Sequence, residues 1–180
     1  MRFHRTRIQG VVIVEVEPRG DERGSFARAF CVEEFEQNGL DSHVEQTNLS
    51  TNVEAGTLRG LHYQLPPAAE TKLVRCVRGA LFDVAVDARP GSETFGQWFG
   101  LELTEENGTA LLIPEGCAHG FQTLVPATTA LYQVSAAYAP SRERGIHHAD
   151  PALDIGWPLE VRNLSSRDRD LPLLDDADLP

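Results

Sequence analysis

The side chains best suited to chemistry come in two blocks of similar layout. One is Gly56-Thr-Leu-Arg-Gly-Leu-His62-Tyr-Gln64 and the other is Gly108-Thr-Ala-Leu-Leu-Ile-Pro114-Glu-Gly116-Cys-Ala-His119. Each begins at a glycine turn and runs into a short stretch that carries a histidine. Two histidines one residue apart, a nearby acid and a later histidine would form a metal cage, since imidazole and carboxylate suit divalent ions. Gln64 stands where the second histidine would be, so that cage has lost a ligand. His62, Glu70 and His119 remain as three conceivable ligands, but an amide ligates weakly and Glu70 sits in a loop-like run, Pro66-Pro-Ala-Ala-Glu70. Acid–base chemistry is the better reading. Imidazole has a reference pKa of about 6.5, which suits His62 to accept a proton near neutral pH. On a strand, His62 and Gln64 share one face while Leu61 and Tyr63 share the other. A lone strand histidine is more often a hydrogen-bonded core residue, and only the surrounding pattern makes His62 a candidate base.

Strands must present these blocks, and the chain supplies them. Strand-like runs occur at 11–16, 72–78, 81–86, 98–103, 110–113, 120–124 and 130–135, separated by Gly, Pro, Asn and Asp. Phe82, Val84 and Val86 alternate with Asp83, Ala85 and Asp87, the pattern of a half-buried strand. A turn is expected over Glu17–Gly24, and a short helix over Val32–Gln37 that stops at Asn38-Gly39. Such even spacing predicts an all-β fold, a double-stranded β-helix (cupin jelly roll) with short flanking helices. One domain over 1–180 is expected, loop-rich from about residue 140 and ending in the acidic tail Asp175-Asp-Ala-Asp178.

With 41% apolar residues the chain is globular rather than disordered. A formal charge of -11 argues against general binding to nucleic acid or an anionic membrane, though not against a local cationic pocket for an anion. Cys31, Cys76 and Cys117 are odd in number and lack metal spacing, as expected of reduced thiols in a cytoplasmic protein. Arg2, Arg5 and Arg7 precede no apolar run of signal-peptide type, and no segment has the length of a membrane helix.

At Asp21-Glu-Arg-Gly24, Leu58–Gln64, Lys72-Leu-Val-Arg75, Phe82–Asp87, Ile113–Phe121, Tyr138-Ala-Pro140, Glu143-Arg-Gly145, Asp150-Pro-Ala152 and Asp168-Arg169, the chain resembles the dTDP-4-dehydrorhamnose 3,5-epimerases. The likeness runs from about residue 8 to 174. It implies a metal-free, cofactor-free cupin homodimer acting on a nucleotide-linked 4-keto-6-deoxy sugar. In such a sugar the C4 ketone acidifies the hydrogens at C3 and C5, so inversion needs a base on one face, an acid on the other and a cation near the enolate. By the resemblance, His62 is the base, Asp168 the carboxylate that orients it, Tyr132 the acid and Lys72 the cation at the C4 oxygen. Arg23 and Arg59 match pyrophosphate ligands, Gln46 and Asn48 residues near the nucleotide, and His119, Glu143 and Arg167 further substrate contacts. Tyr138 competes for the acid role but more closely fits the sugar or phosphate site.

The chain departs from that family in places. Thr47 and Leu49 interrupt the usual Gln-Asp-Asn-His-Ser, and Arg28 stands where a glutamate is common beside the nucleotide; both changes are expected to bear on base preference. Gln133-Val-Ser-Ala-Ala137 follows the candidate acid and is expected to bear on which centre is inverted. His147-His148 reads as incidental surface histidines pointing apart, a poor chelate. The alternatives are a 3,4-ketoisomerase, which shares the first proton abstraction, a metal-dependent cupin, and a non-catalytic sugar-nucleotide binder.

Overall fold

The structure is a computed structural model that describes residues 1–180. In chain order the first elements are β1 (Arg2–Arg5), β2 (Val12–Glu15), β3 (Arg19–Asp21), β4 (Gly24–Phe26), α1 (Val32–Gln37) and β5 (Gln46–Asn52). Next come β6 (Leu58–Gln64), β7 (Lys72–Arg78), β8 (Ala80–Asp87), β9 (Trp98–Thr104) and β10 (Ala110–Ile113). The chain closes with β11 (Cys117–Thr123), β12 (Thr128–Val134), β13 (Glu143–Gly145) and α2 (Ser166–Arg169). A six-stranded sheet ordered β1-β2-β10-β7-β12-β5 faces a five-stranded sheet ordered β13-β6-β11-β8-β9, with antiparallel pairing throughout. This is the jelly-roll arrangement expected. The expected helix and the strands at 72–78 and 110–113 fall on the residues anticipated.

Strand alternation sorts the side chains into three apolar layers. Val74, Cys76, Leu81, Ala85, Leu111, Ile113 and Ala130 fill one end between the sheets. Val12, Val14, Leu73, Ala110 and Leu112 face outward from the larger sheet and are covered by α1, whose Phe35 is fully buried. Phe35 meets Phe3 edge-on at 5.3 Å. A fully buried aromatic of this size contributes about 1.5–3 kcal/mol. Leu61, Tyr63, Val84, Val86 and Ala118 face outward from the smaller sheet, under Ile146, Leu153 and Leu174 of the C-terminal segment.

That third layer corrects the expectation for β8. Both of its faces are buried, because the loop-rich C-terminal segment covers the outer one. Phe82, Val84 and Val86 pack outward against the cover, while Leu81, Asp83, Ala85 and Asp87 lie on the interior face. Asp87 is satisfied there by Arg89 at 2.8 Å, Ser92 at 2.6 Å and Thr94 at 2.6 Å. The expected turn over Glu17–Gly24 is largely the hairpin β3–β4, with Arg23 in its tip. His147 and His148 follow β13 outside any strand, so alternation does not separate them. Their ring centroids lie 4.5 Å apart at a tilt of 34°, and His148 is buried with Nδ1 unpartnered, not an incidental surface residue.

Candidate active site

At the end opposite the apolar filling, the two sheets enclose a cavity of about 1030 Å³. Its floor and walls include Gln46, Asn48, Arg59, His62, Glu70, Lys72, His119, Tyr132, Tyr138, Glu143, Arg167 and Asp168. Eleven of the thirteen catalytic and substrate-contact residues expected from the sequence therefore converge there, and Arg23 and Arg28 do not. Arg23 is 84% exposed and bound to Asp21 at 2.6 Å. Arg28 is held by Glu34 at 2.7 Å.

His62 comes from β6, where Gly60 permits the approach. A Cβ at Gly60 would lie 2.5 Å from the Gly120 Cα, and its φ of +122° is unfavourable for other residues. The same crossing coincides with a register shift in β11 after His119, the cross-strand partner of His62. His62 Nε2 lies 2.7 Å from Asp168 Oδ1. Asp168 is brought inward by α2, whose Ser165 N-cap accepts from the Asp168 N–H at 3.0 Å. Asp170, two residues on, is the exposed C-cap of the same helix. Burial pushes the Asp168 carboxyl up, but the His62 hydrogen bond and charge, with the Gly60 N–H and Ser165, outweigh it and hold the group below its ordinary range. An ionised Asp168 accepts, so Nε2 carries the hydrogen and Nδ1 is left free to take a proton.

His119 makes a second pair that the sequence did not suggest. Its Nε2 lies 2.7 Å from Oδ1 of Asp83 on β8. Asp83 is fully buried, and its Oδ2 has no partner. Burial pushes that carboxyl up against the opposing pull of His119 and Lys72. The signal available in the sequence was the alternation of β8, but it pointed Asp83 outward because the C-terminal cover was not visible there.

Tyr132 projects from β12 on the facing sheet. Burial, then the charges of Glu70 and Glu143, raise its phenol above the ordinary 10.0, with Arg59 opposing. It therefore stays protonated at neutral pH. Lys72 starts β7, is 8% exposed, and its ammonium lies 3.1 Å from Glu70 and 3.3 Å from the His62 carbonyl.

One end of the cavity is a polar chain. Tyr138 donates to Glu143 at 2.5 Å, Arg167 pairs with the same carboxylate oxygen, and Gln46 accepts from the Tyr138 N–H at 2.9 Å. Burial raises the Glu143 carboxyl, but Tyr138 and Arg167 more than offset it and the group lies low. Arg59 donates to Asn52 at 2.8 Å. Thr47 and Leu49 are exposed and occupy the alternate face of β5, so they do not reach the cavity from within the subunit.

Gln64 is a structural clamp rather than a substitute ligand. Its amide donates to the carbonyls of Ala68 at 2.9 Å and Ala137 at 3.3 Å, and accepts from the Ala139 N–H at 2.6 Å. No group of three His, Cys, Asp or Glu side chains is arranged to hold a metal ion. His62, His119 and Glu70 are each engaged by another side chain: Asp168, Asp83 and Lys72.

The jelly roll thus carries a histidine–carboxylate pair on one wall of the cavity and a protonated phenol on the other. The family model for dTDP-4-dehydrorhamnose 3,5-epimerase matches residues 5–176. A dTDP-4-dehydrorhamnose 3,5-epimerase of Sinorhizobium fredii is 45% identical over 97% of this chain and 90% of that protein. A dTDP-4-dehydrorhamnose 3-epimerase of Streptomyces niveus is 41% identical over 98% and 86%. Among solved structures, the Legionella pneumophila 3,5-epimerase in complex with dTDP-4-keto-L-rhamnose superposes with a TM-score of 0.93 at 41% identity, over 99% of this chain and 97% of that one. The chain belongs to the dTDP-4-dehydrorhamnose 3,5-epimerase family. It is an epimerase of deoxysugar biosynthesis.

Proposed function

We propose that the cavity inverts C3, C5 or both of a dTDP-linked 4-keto-6-deoxyhexose, with His62 as base and Tyr132 as acid. The observation that carries this reading is their placement on opposed sheets across one cavity, His62 on β6 and Tyr132 on β12. His62 Nδ1 takes the proton alpha to the ketone, and the C–H electron pair moves onto the C4 oxygen as an enolate. The Lys72 ammonium stabilises that developing charge more than the neutral ketone. Tyr132 then delivers its proton to the opposite face of the carbon, which inverts the centre; the phenolate regains a proton from solvent and the His62 imidazolium releases one to it. Asp168 holds the imidazole in the required tautomer and stabilises the imidazolium. His119 lies beside His62 in register, where it can contact the same sugar.

Arg59 suits the pyrophosphate through paired guanidinium hydrogen bonds. Gln46 and Asn48 would lie near the nucleotide, Tyr138 at the sugar or phosphate, and Glu143 and Arg167 at further substrate contacts, all on the lining of the same cavity. Arg23 and Arg28 fit this scheme in a homodimer, where each subunit's protruding hairpin would serve its partner's cavity. Exposed Phe26 at 75% and Leu49 at 67% support such an interface. No helix is long and apolar enough to cross a membrane. Three unpaired cysteines fit a reducing, cytoplasmic setting.

The test is incubation with dTDP-4-keto-6-deoxyglucose in heavy water, followed by NMR. Deuterium at C3 and C5 with inverted product identifies a 3,5-epimerase, and deuterium at one carbon a single-centre enzyme. Tyr132→Phe is expected to keep exchange at C3 while losing most inverted product. An unchanged product yield moves the acid role to Tyr138 or water, and no exchange by the native protein refutes the substrate assignment.

A further inference from the structure

The epimerase scheme leaves two ionisable side chains of the cavity unused, Glu54, which accepts from Asn163 at 2.7 Å, and Glu70. Glu70 lies in the loop between β6 and β7, downstream of the Ala68 carbonyl that Gln64 clamps. Its carboxylate sits 3.1 Å from the Lys72 ammonium, and both side chains are 11% exposed. A carboxylate beside a forming enolate opposes the negative charge that the site must stabilise. Its presence calls for a compensating role, and the contacts supply two.

The first is aim. A free lysine head on a four-carbon stem loses rotamer entropy when fixed, unless the protein has already fixed it. Glu70 and the His62 carbonyl hold the Lys72 ammonium from two sides, at 3.1 Å and 3.3 Å. An ammonium has three N–H groups, so one remains for the C4 oxygen. The second is the state of the acid. Glu70 faces Tyr132 from the β6–β7 loop, Arg59 faces it from β6 and Glu143 from β13, with His62 and Lys72 lining the same space. Of these groups Glu70 and Glu143 favour retention of the phenolic proton, and Glu70 is the stronger.

We propose that Glu70 is a positioning residue for epimerisation: it fixes the Lys72 ammonium at the C4 oxygen and sets its own negative charge in the cavity that Tyr132 lines. The proposal rests on the assignment of Lys72 and Tyr132 given above. It separates a hydrogen-bonding duty, which glutamine can perform, from a charge duty, which glutamine cannot.

Glu70→Ala and Glu70→Gln should be compared with the native enzyme, and with Lys72→Ala and Tyr132→Phe, by product NMR across pH. Glu70→Ala is expected to lower kcat about tenfold with KM nearly unchanged, the size of a lost orientation at the reacting centre. Glu70→Gln should recover most of that rate, since its amide oxygen still accepts from Lys72. In both variants the alkaline limb of kcat should move to lower pH, because the phenol has lost a neighbouring negative charge. A native rate in Glu70→Ala overturns the proposal, as does a reduced rate with an unmoved alkaline limb in both variants. If Lys72→Ala and Tyr132→Phe themselves invert sugar at the native rate, the failure belongs to the underlying assignment instead.

Discussion

The two histidine–aspartate pairs of the cavity share a distance and differ in chemistry. His62–Asp168 and His119–Asp83 each close at 2.7 Å through Nε2, on neighbouring strands and in direct register. Asp168 also meets the Gly60 N–H at 3.4 Å, and it lies below its ordinary carboxylate range. Asp83 has an oxygen without any partner inside the barrel, and burial holds it above that range. A hydrogen-bond length therefore does not report what a pair can do. The number of donors around the carboxylate decides whether it holds a full negative charge, and so how strongly it can polarise its histidine. Asp168 is equipped to stabilise an imidazolium. Asp83 is equipped to fix a ring.

The largest effect should separate the histidines. His62→Ala should abolish deuterium exchange at both carbons, a loss of about 10³-fold or more for removal of a general base. His119→Ala should leave measurable exchange. Equal losses would mean that the two pairs are catalytically interchangeable.

Next in size is the contrast between the aspartates. Asp168→Asn presents an amide that can stabilise the wrong imidazole tautomer, and kcat is expected to fall by about 10²–10⁴. Asp83→Asn retains an acceptor for His119 and removes a costly buried charge, so kcat should fall by less than about tenfold. A larger loss in Asp83→Asn would give the second pair a charge role of its own.

The smallest effect is on stability, and its sign differs between the two. Asp168 has a depressed folded pKa, so its contribution is present above the unfolded value and is lost as pH falls through the folded one. Asp83 has a raised folded pKa; the folded state holds its proton more tightly, so stability is lost as pH rises from 3.8 through the folded value. Chemical denaturation of the Asn variants across acid pH should show Asp168→Asn flattening the acid-side loss and Asp83→Asn flattening the opposing one. Asp87, pulled down to about 2 by Arg89, Ser92 and Thr94 against its burial, supplies a common acid-side background. Parallel curves for both variants would remove the distinction.

Much of the site was legible because its residues sit in local patterns. His62 and Lys72 fall on strands whose alternation sends them inward with Val74 and Cys76. The face of Asp83 was not legible. Alternation says which residues share a face, but the usual inference that the apolar face points inward needs one face to be wet. On β8 neither is, since residues far downstream cover Val84 and Val86. The contact between the His147 and His148 rings was not legible for a related reason: alternation separates neighbours on a strand, and these two lie in a loop.

Neighbouring residues alone carry the strand periods, the glycines that let β6 and β11 cross closely, and the motifs of the family. The pairing of side chains came from long-range packing. Asp168 rather than Asp170 meets His62 across 106 residues, Asp83 meets His119 across 36, and Gln64 clamps two loops instead of ligating. Local periodicity is set by backbone sterics and is written in neighbouring residues. Which charges meet inside the barrel depends on strand order and on what covers each sheet, and those are properties of the folded chain as a whole.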